Sequence, residues 1–416
     1  MWYQRELHET WLSTNALPVR ILTGLRQAGK TALLHRLIVE EGEGRQDLYF
    51  DDLSLRQLAM SDPALFIEMN PGLLFLDEAQ LVPELFFEIK RRVDLMRRER
   101  ALNDTQAARS SQPAWLWITG SSAMLLDKRI KESLAGRASF FILHPLSVSE
   151  LLTMKPDTPL GDILIRGGWP ELRQNPTLDH TRYLNDYIQS ALEKDVAVTG
   201  GITKISNFMK AVRLIAARVG QLSVASEVAK DSSVQVSTLL DWMTILERNH
   251  FIHRVPAYSN NLNQRLIKTP KLYFSETSLA CRLQGWTSLP PLMVSPQIGG
   301  LFENLVFSEI IRARDHKGLD WQIFHWRTKE GQEIDFIVQC SGKTVALEVK
   351  FNHQNIPSNI DFAPIRKILG EDVVCAVVTA GGRKQPYPEA RRASSVRAEV
   401  WPIQILAAEL LKHLNS

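Results

Sequence analysis

The first third of the chain carries three short, nearly unbroken apolar runs. They are Val19, Ile21 and Leu22, then Leu73 to Leu76, then "AWLWI" leading to Thr119. Such runs predict strands covered on both faces, the pattern of a parallel sheet. Between the first two, "TALLHRLIVEE" sets Leu33, Leu34 and Leu37 at helical spacing. Residues 181–200 read as an amphipathic helix built on Tyr183, Tyr187, Ile188, Leu192 and Val196. From residue 205 the pattern gives a helix, a break at Gly220, a short helix, the "DSS" turn and a helix from Gln235 to Arg248. Two β-like pieces follow, "FIHRVPAY" and "RLIKTPKLYFSE". Three helices and a hairpin in that order predict a winged helix-turn-helix.

The linker "QGWTSLPPLMVSPQIGG" opens the last third. The helix "LFENLVFSEIIRAR" after it puts Glu303, Phe307 and Ile310 on one face, and the strands "WQIFHWR", "EIDFIVQ", "TVALEVK" and "VVCAVVT" follow. Strict alternation sets Glu333, Asp335 and Ile337 on one side of their strand and Ile334, Phe336 and Val338 on the other. The same rule joins Glu348 to Lys350, opposite Val345, Leu347 and Val349. The chain closes on an amphipathic helix, "IQILAAELLKHL".

Composition adds bounds. A chain of 416 residues exceeds one ordinary core. The elements divide it into a parallel-sheet α/β unit (1–152), a helical segment (153–204), the winged helix-turn-helix (205–283) and a C-terminal α/β unit (284–416). A formal net charge of +3 demands no polyanion, so any nucleic-acid surface has to come from local clusters. Cys281, Cys340 and Cys375 lie far apart and form no metal spacing. No apolar run reaches bilayer length and the first twenty residues carry no signal core, so the expected setting is cytoplasmic, without a membrane partner.

Chemistry enters with "GLRQAGKT". Gly24 and Gly29-Lys30-Thr31 match the phosphate-binding loop G-x-x-x-x-G-K-[ST], with a strand before and a helix after. The glycines let backbone N–H groups turn toward phosphates; Lys30 reaches the β- and γ-phosphates and Thr31 ligates Mg²⁺. Asp77 and Glu78 end the second apolar run, Asp77 placed for the metal and Glu78 to polarise an attacking water. The third run ends in Thr119-Gly-Ser121-Ser122, a polar tip able to meet the γ-phosphate or the water, and Arg129 and Arg137 follow it. These residues predict ATP and Mg²⁺ as ligands.

The strings "GLRQAGKT", "FLDEAQLVPEL", "TGSSAMLL…SLAGR", "RGGWPEL", "KTPKLYFSET", "GLFENLVFSEI" and "EIDFIV…ALEVK" together resemble a prokaryotic AAA-type ATPase family. Its members carry a C-terminal region long labelled a domain of unknown function. The resemblance spans nearly the whole chain; Leu25 and Ala28 depart from the family's usual residues, neither at a catalytic position. It implies that Ser121 senses the γ-phosphate, that Arg137 acts as a finger on a neighbouring subunit of a homo-oligomer, and that Pro170 packs on the adenine from a helical lid, the segment 153–204. The fold it implies is an AAA-type P-loop core on a parallel sheet, with the lid, the winged helix and a C-terminal α/β domain.

In that last domain Glu303, Asp335, Glu348 and Lys350 follow the order helix glutamate, Asp, Glu-x-Lys, which resembles the restriction-endonuclease-like superfamily. Two carboxylates suit Mg²⁺, and a lysine can orient the attacking water. Basic positions for DNA are Arg265, Lys268 and Lys271 of the hairpin, Arg391 and Arg392 of the loop "GGRKQPYPEARRASSVR", and the run Lys90 to Arg100. The helix Gln235–Arg248 offers neutral side chains and Asp241 instead. The function expected is an oligomeric Mg²⁺-dependent ATPase that remodels or translocates DNA, branched DNA included. An ATP-gated endonuclease and a nucleotide-switched scaffold are the alternatives.

Overall fold

A computed structural model describes residues 2–13, 17–42, 44–102, 114–120, 128–197, 200–259, 269–328, 331–387 and 398–415. Five strands, β1 (Val19–Thr23), β2 (Gln46–Tyr49), β3 (Leu74–Asp77), β4 (Leu116–Thr119) and β5 (Ala138–Ile142), form a sheet ordered β2-β3-β4-β1-β5. All its pairings are parallel. Successive residues feed opposite cores. Ile21, Leu74, Leu76, Leu116 and Ile118 pack on one side with Ile89 and Val93. Leu22, Phe75 and Trp117 pack on the other with Leu33, Leu34, Leu37 and Trp11. Burial on both faces explains why these strands read as continuous apolar runs.

The helix His180–Tyr187 continues as a π-helix over Ile188–Val196. Helices Ile205–Ala217, Ala225–Asp231 and Val236–Arg248 then lead to a two-stranded antiparallel hairpin, β6 (Ile252–Val255) with β7 (Lys271–Phe274). Lys271 also bridges back to Leu222.

The second sheet holds β8 (Gln322–Arg327), β9 (Glu333–Cys340), β10 (Lys343–Lys350), β11 (Val374–Thr379), β12 (Gln385–Pro386) and β13 (Ala398–Pro402), ordered β12-β13-β11-β10-β9-β8. Its edge strand β8 is partly covered: Tyr258 N–H donates to His325 O and His325 N–H to Pro256 O.

Two expectations change. The linker is shorter than its composition suggests, because Gln297 to Gly300 already form the first turn of a twenty-residue helix, Gln297–His316. Gly300 serves close packing there: a Cβ would lie 2.9 Å from Val219 O. Strict alternation also fails in β9. Ile337 faces Phe324 and Ile334 faces Trp326, so β9 carries one extra residue opposite His325. This bulge puts Ile334 and Ile337 in one core and Phe336 and Val338 in another. The second of those cores runs without a break through the helices between Ile163 and Ala197, the three helices after them, the Gln297–His316 helix and one face of the sheet.

Candidate functional site

The helix Lys30–Glu41 starts at Gly29, whose φ of 94° is left-handed, and no side chain caps it. Its free N–H groups form an anion site. Gly24 has φ 136°, and a Cβ there would lie 2.1 Å from Leu143 O, so only glycine fits. Gln27, inside the loop, also holds positive φ, as does Glu78 beyond β3. Both positions carry the strain that surrounding structure has to hold. The Lys30 ammonium lies in the loop, 3.0 Å from Leu25 O and 3.2 Å from Gly24 O. Burial pushes its pKa down to about 8, against the pull of Glu78 and Asp77.

Thr31 Oγ1 donates to Asp77 Oδ1 at 3.0 Å, although strand β4 separates β1 from β3. Thr119, at the tip of β4, fills that gap and donates to the same carboxylate. The Glu78 N–H donates to Thr119 Oγ1 at 3.4 Å, and Gln80 Nε2 donates to Glu78 Oε2. A hydroxyl and a carboxylate side by side at the mouth of an anion site are the hard oxygen donors that Mg²⁺ takes, so the residues fit the ion. Bound there with ATP, Mg²⁺ would neutralise charge on the phosphate oxygens. Glu78 follows Asp77 directly, at the same strand end. Ser121 lies outside the described residues.

The helices His180–Tyr187 and Ile188–Val196 contact the loop directly. Tyr183 OH donates to Gln27 Oε1 at 2.6 Å, and Asp195 of the π-helix pairs with Arg26 at 2.7 Å. Pro170 packs at Gly29, with its Cγ 3.7 Å from where a Cβ would stand. Gly168, two residues earlier, approaches the chain so closely that a Cβ would meet Leu146 O at 2.2 Å. Sequence reasoning missed Arg5. This buried guanidinium donates to Ala28 O at 2.9 Å, to His144 O at 2.6 Å and to Glu150 Oε1 at 3.0 Å, bracing the loop from behind. No motif surrounds it; a charge between the apolar positions Tyr3 and Leu7 was the available signal.

Arg137 precedes β5, at the opposite end of the parallel sheet from the phosphate loop, and makes a two-pronged pair with Asp94 at 2.8 and 2.9 Å. That hydrogen bonding raises its pKa. At that end of the sheet it lies away from its own phosphate loop.

The C-terminal carboxylates do converge. Glu303 projects from the Gln297–His316 helix, Asp335 from the bulge in β9, and Glu348 and Lys350 from β10. Lys350 Nζ donates to Glu348 Oε1 at 2.8 Å, and Val349 N–H to Asp335 Oδ2 at 2.9 Å. Burial, reinforced by Asp335, pushes both Glu303 and Glu348 up to about 8. One expectation is overturned here. Lys271, placed among the DNA-contacting residues, is only 2% exposed, and its ammonium lies on Glu303 Oε1 at 2.9 Å, on Asp335 Oδ1 at 3.0 Å and on Glu333. β7 turns it inward because Lys271 and Tyr273, two residues apart, share the face toward Glu303. Arg265, Lys268, Arg391 and Arg392 lie outside the described residues.

The same long helix reaches the ATPase unit at its other end. Arg312 pairs with Glu276 and Glu309, both at 2.7 Å; Glu309 Oε2 accepts from Val148 N–H; and Asp315 Oδ2 bonds His144 at 2.7 Å. Glu6, Glu150 and His316 lie close enough to share a cation. However, His316 Nε2 accepts the His144 N–H, so Nδ1, 3.8 Å from Glu6 Oε2 and 4.0 Å from Glu150 Oε1, carries the ring proton and offers no lone pair to a cation.

Comparison with known proteins agrees with this geometry in the first unit: residues 17–152 match the model of an AAA domain. The N-terminal unit is similar to an AAA domain. Residues 158–289 and 298–405 match two domains of unknown function (DUF8612 and DUF4143), so the AAA domain is followed by two further matched regions. An uncharacterized protein of Mycobacterium tuberculosis is 29% identical over 80% of this chain and 70% of its own length. One from Methanocaldococcus jannaschii is 24% identical over 77% and 72%. Among solved structures, the Walker-type ATPase of Pyrococcus abyssi is 16% identical over 68% of this chain and 96% of that one, with a TM-score of 0.38. Among the described residues, no helix is long and apolar enough to cross a membrane.

Proposed function

We propose that the chain is a Mg²⁺-dependent ATP hydrolase that works as a homo-oligomer and uses nucleotide turnover to remodel or translocate DNA. The observation that carries the hydrolase part is the Thr31–Asp77 contact at the uncapped helix, with Glu78 beside it. Lid side chains on Gln27 and Arg26 give the loop a means of passing its occupancy to the rest of the chain. The position of Arg137 supports action in trans.

The DNA part is supported by the winged-helix order of three helices and a hairpin, and by exposed Lys90, Arg92, Arg97 and Arg98 on the Leu85–Leu102 helix. A second reading, a nucleotide-switched scaffold, is favoured by one feature. The outward face of Val236–Arg248 shows Val236, Ser237, Leu240 and Asp241, which suits a protein partner better than phosphates.

The test is steady-state ATP hydrolysis alone and with single-stranded, duplex or four-way-junction DNA, with Glu78→Gln as the blank. Stimulation by one DNA form supports the motor. A DNA-indifferent rate with no DNA binding favours the scaffold. Mixing Arg137→Ala with Glu78→Gln subunits tests the trans finger: activity above that of either alone supports it, and none speaks against it.

A further inference from the structure

The restriction-endonuclease-like reading implies a divalent cation on Asp335 and Glu348, and the protein's own donors already hold much of that cluster. Asp335 gives one oxygen to Lys271 and the other to the Val349 N–H. Glu303 Oε1 takes both the Lys271 ammonium and the Tyr273 hydroxyl. Glu333 closes on the same ammonium. A metal bound to Asp335 would lie within a few ångströms of the buried Lys271 ammonium, in a medium that screens it weakly. The donor set does not fit the ion.

Lysine is fixed there by backbone as well as charge. β7 pairs Lys271 with Val255 and bridges it to Leu222, while Ser223 N–H donates to Pro270 O and Gly220 N–H to Leu272 O. The other side of Glu303 meets Gly220, where a Cβ would lie 3.1 Å from Oε2. Glu348 Oε1 is taken by Lys350, which leaves its buried Oε2 without a hydrogen-bond partner. The unpartnered Glu348 Oε2 and the Gly220-facing Glu303 Oε2 fall short of the six to eight oxygens that Ca²⁺ takes, and the Lys271 and Lys350 ammonium groups repel any divalent ion held between them.

We propose that the Lys271 ammonium is the resident cation of this site, occupying the place of a metal, so that the cluster joins the hairpin to the C-terminal sheet and takes no divalent ion. The nuclease-shaped domain then contributes a rigid coupling between the β6–β7 hairpin and the long helix that reaches the AAA domain. Lys271 is the counter-charge of that coupling.

Mn²⁺ binding to the full, nucleotide-free chain tests this, followed by electron paramagnetic resonance. Wild type is compared with Glu348→Gln, which removes a would-be ligand and leaves every Lys271 contact in place. Indistinguishable Mn²⁺ isotherms are expected. A Mn²⁺ site that loses tenfold or more affinity in Glu348→Gln overturns the proposal, as does Mn²⁺-dependent strand cleavage lost in that variant. Lys271→Met supplies the converse. A new Mn²⁺ site at least tenfold tighter than wild type, abolished by adding Glu348→Gln, supports the ammonium as occupant; a folded Lys271→Met without such a site overturns it. If Lys271→Met does not fold, the wild-type comparison still decides.

Discussion

At Glu78 the chain accepts a left-handed backbone so that a carboxylate can stand beside the Thr31–Asp77 pair. If that carboxylate orients the attacking water, Glu78→Gln should lower phosphate release by roughly a hundredfold or more, the scale of a lost general base. Nucleotide affinity, read with a fluorescent analogue, should stay near wild type. A residual rate above a tenth of wild type would move the role to another group. Tyr183 tests the lid at the same scale. Tyr183→Phe removes one hydroxyl from Gln27, so the KM for ATP should rise several-fold, while the urea midpoint shifts by no more than about 1 kcal/mol of stability. An unchanged KM would make the contact incidental.

Among elements, the segment 166–170 shows how a short string can hold two units in register. Gly168 lets the backbone pass against Leu146, whose N–H donates to Gly168 O at 2.7 Å, and Pro170 starts the next helix beside the phosphate loop. Gly168→Ala should therefore cost at least ~2 kcal/mol, because backbone has to move. Gly136→Ala is the control: φ there is +68° but nothing lies within 4 Å of a Cβ, so its cost should stay near the ~1 kcal/mol of left-handed strain. Equal urea midpoints for the two variants would refute the close-packing argument. The bulge in β9 makes a similar point. Period-two alternation assigned Asp335 correctly to the side of Glu333, yet it mispaired Ile337 with them, since one extra residue opposite His325 resets the faces.

For the molecule as a whole, buried titratable groups set opposing pH limits. Burial pushes His144 and His325 down to about 4, whereas an unfolded histidine titrates near 6.5. Between those values the unfolded chain binds the extra protons, so their contribution is complete above pH 6.5 and is lost as pH falls through 4. Glu309 runs the other way. Burial raises it to about 7 despite Arg312, so its contribution is present below about 4.5 and is lost as pH rises through 7. His325→Phe should flatten the acid limb by on the order of 3 kcal/mol between pH 6.5 and 4. Glu309→Gln should flatten the alkaline limb instead. Urea unfolding at pH 4.5, 6 and 8 checks both, and an unaltered acid limb in His325→Phe would exclude that histidine as a cause.

The sequence by itself determined what local chemistry can encode. A phosphate loop is a contiguous string whose glycines and lysine act through their own backbone, so Gly24 to Thr31, the β3 carboxylates and the strands around them were legible without coordinates. Glu303, Asp335, Glu348 and Lys350 could be named because helix and strand periodicities fix which side chains share a face. What occupies the space between them is a matter of distance in three dimensions. Lys271 looked like one more exposed base of a hairpin, and only the packing of β7 against the long helix turned it inward onto three carboxylates. Arg5 was equally silent, since its partners Ala28, His144 and Glu150 are remote in sequence and meet only when the N-terminal segment folds behind the loop. Charge pairs of this kind depend on which elements come to lie side by side, and that is decided by the burial of the shared apolar core.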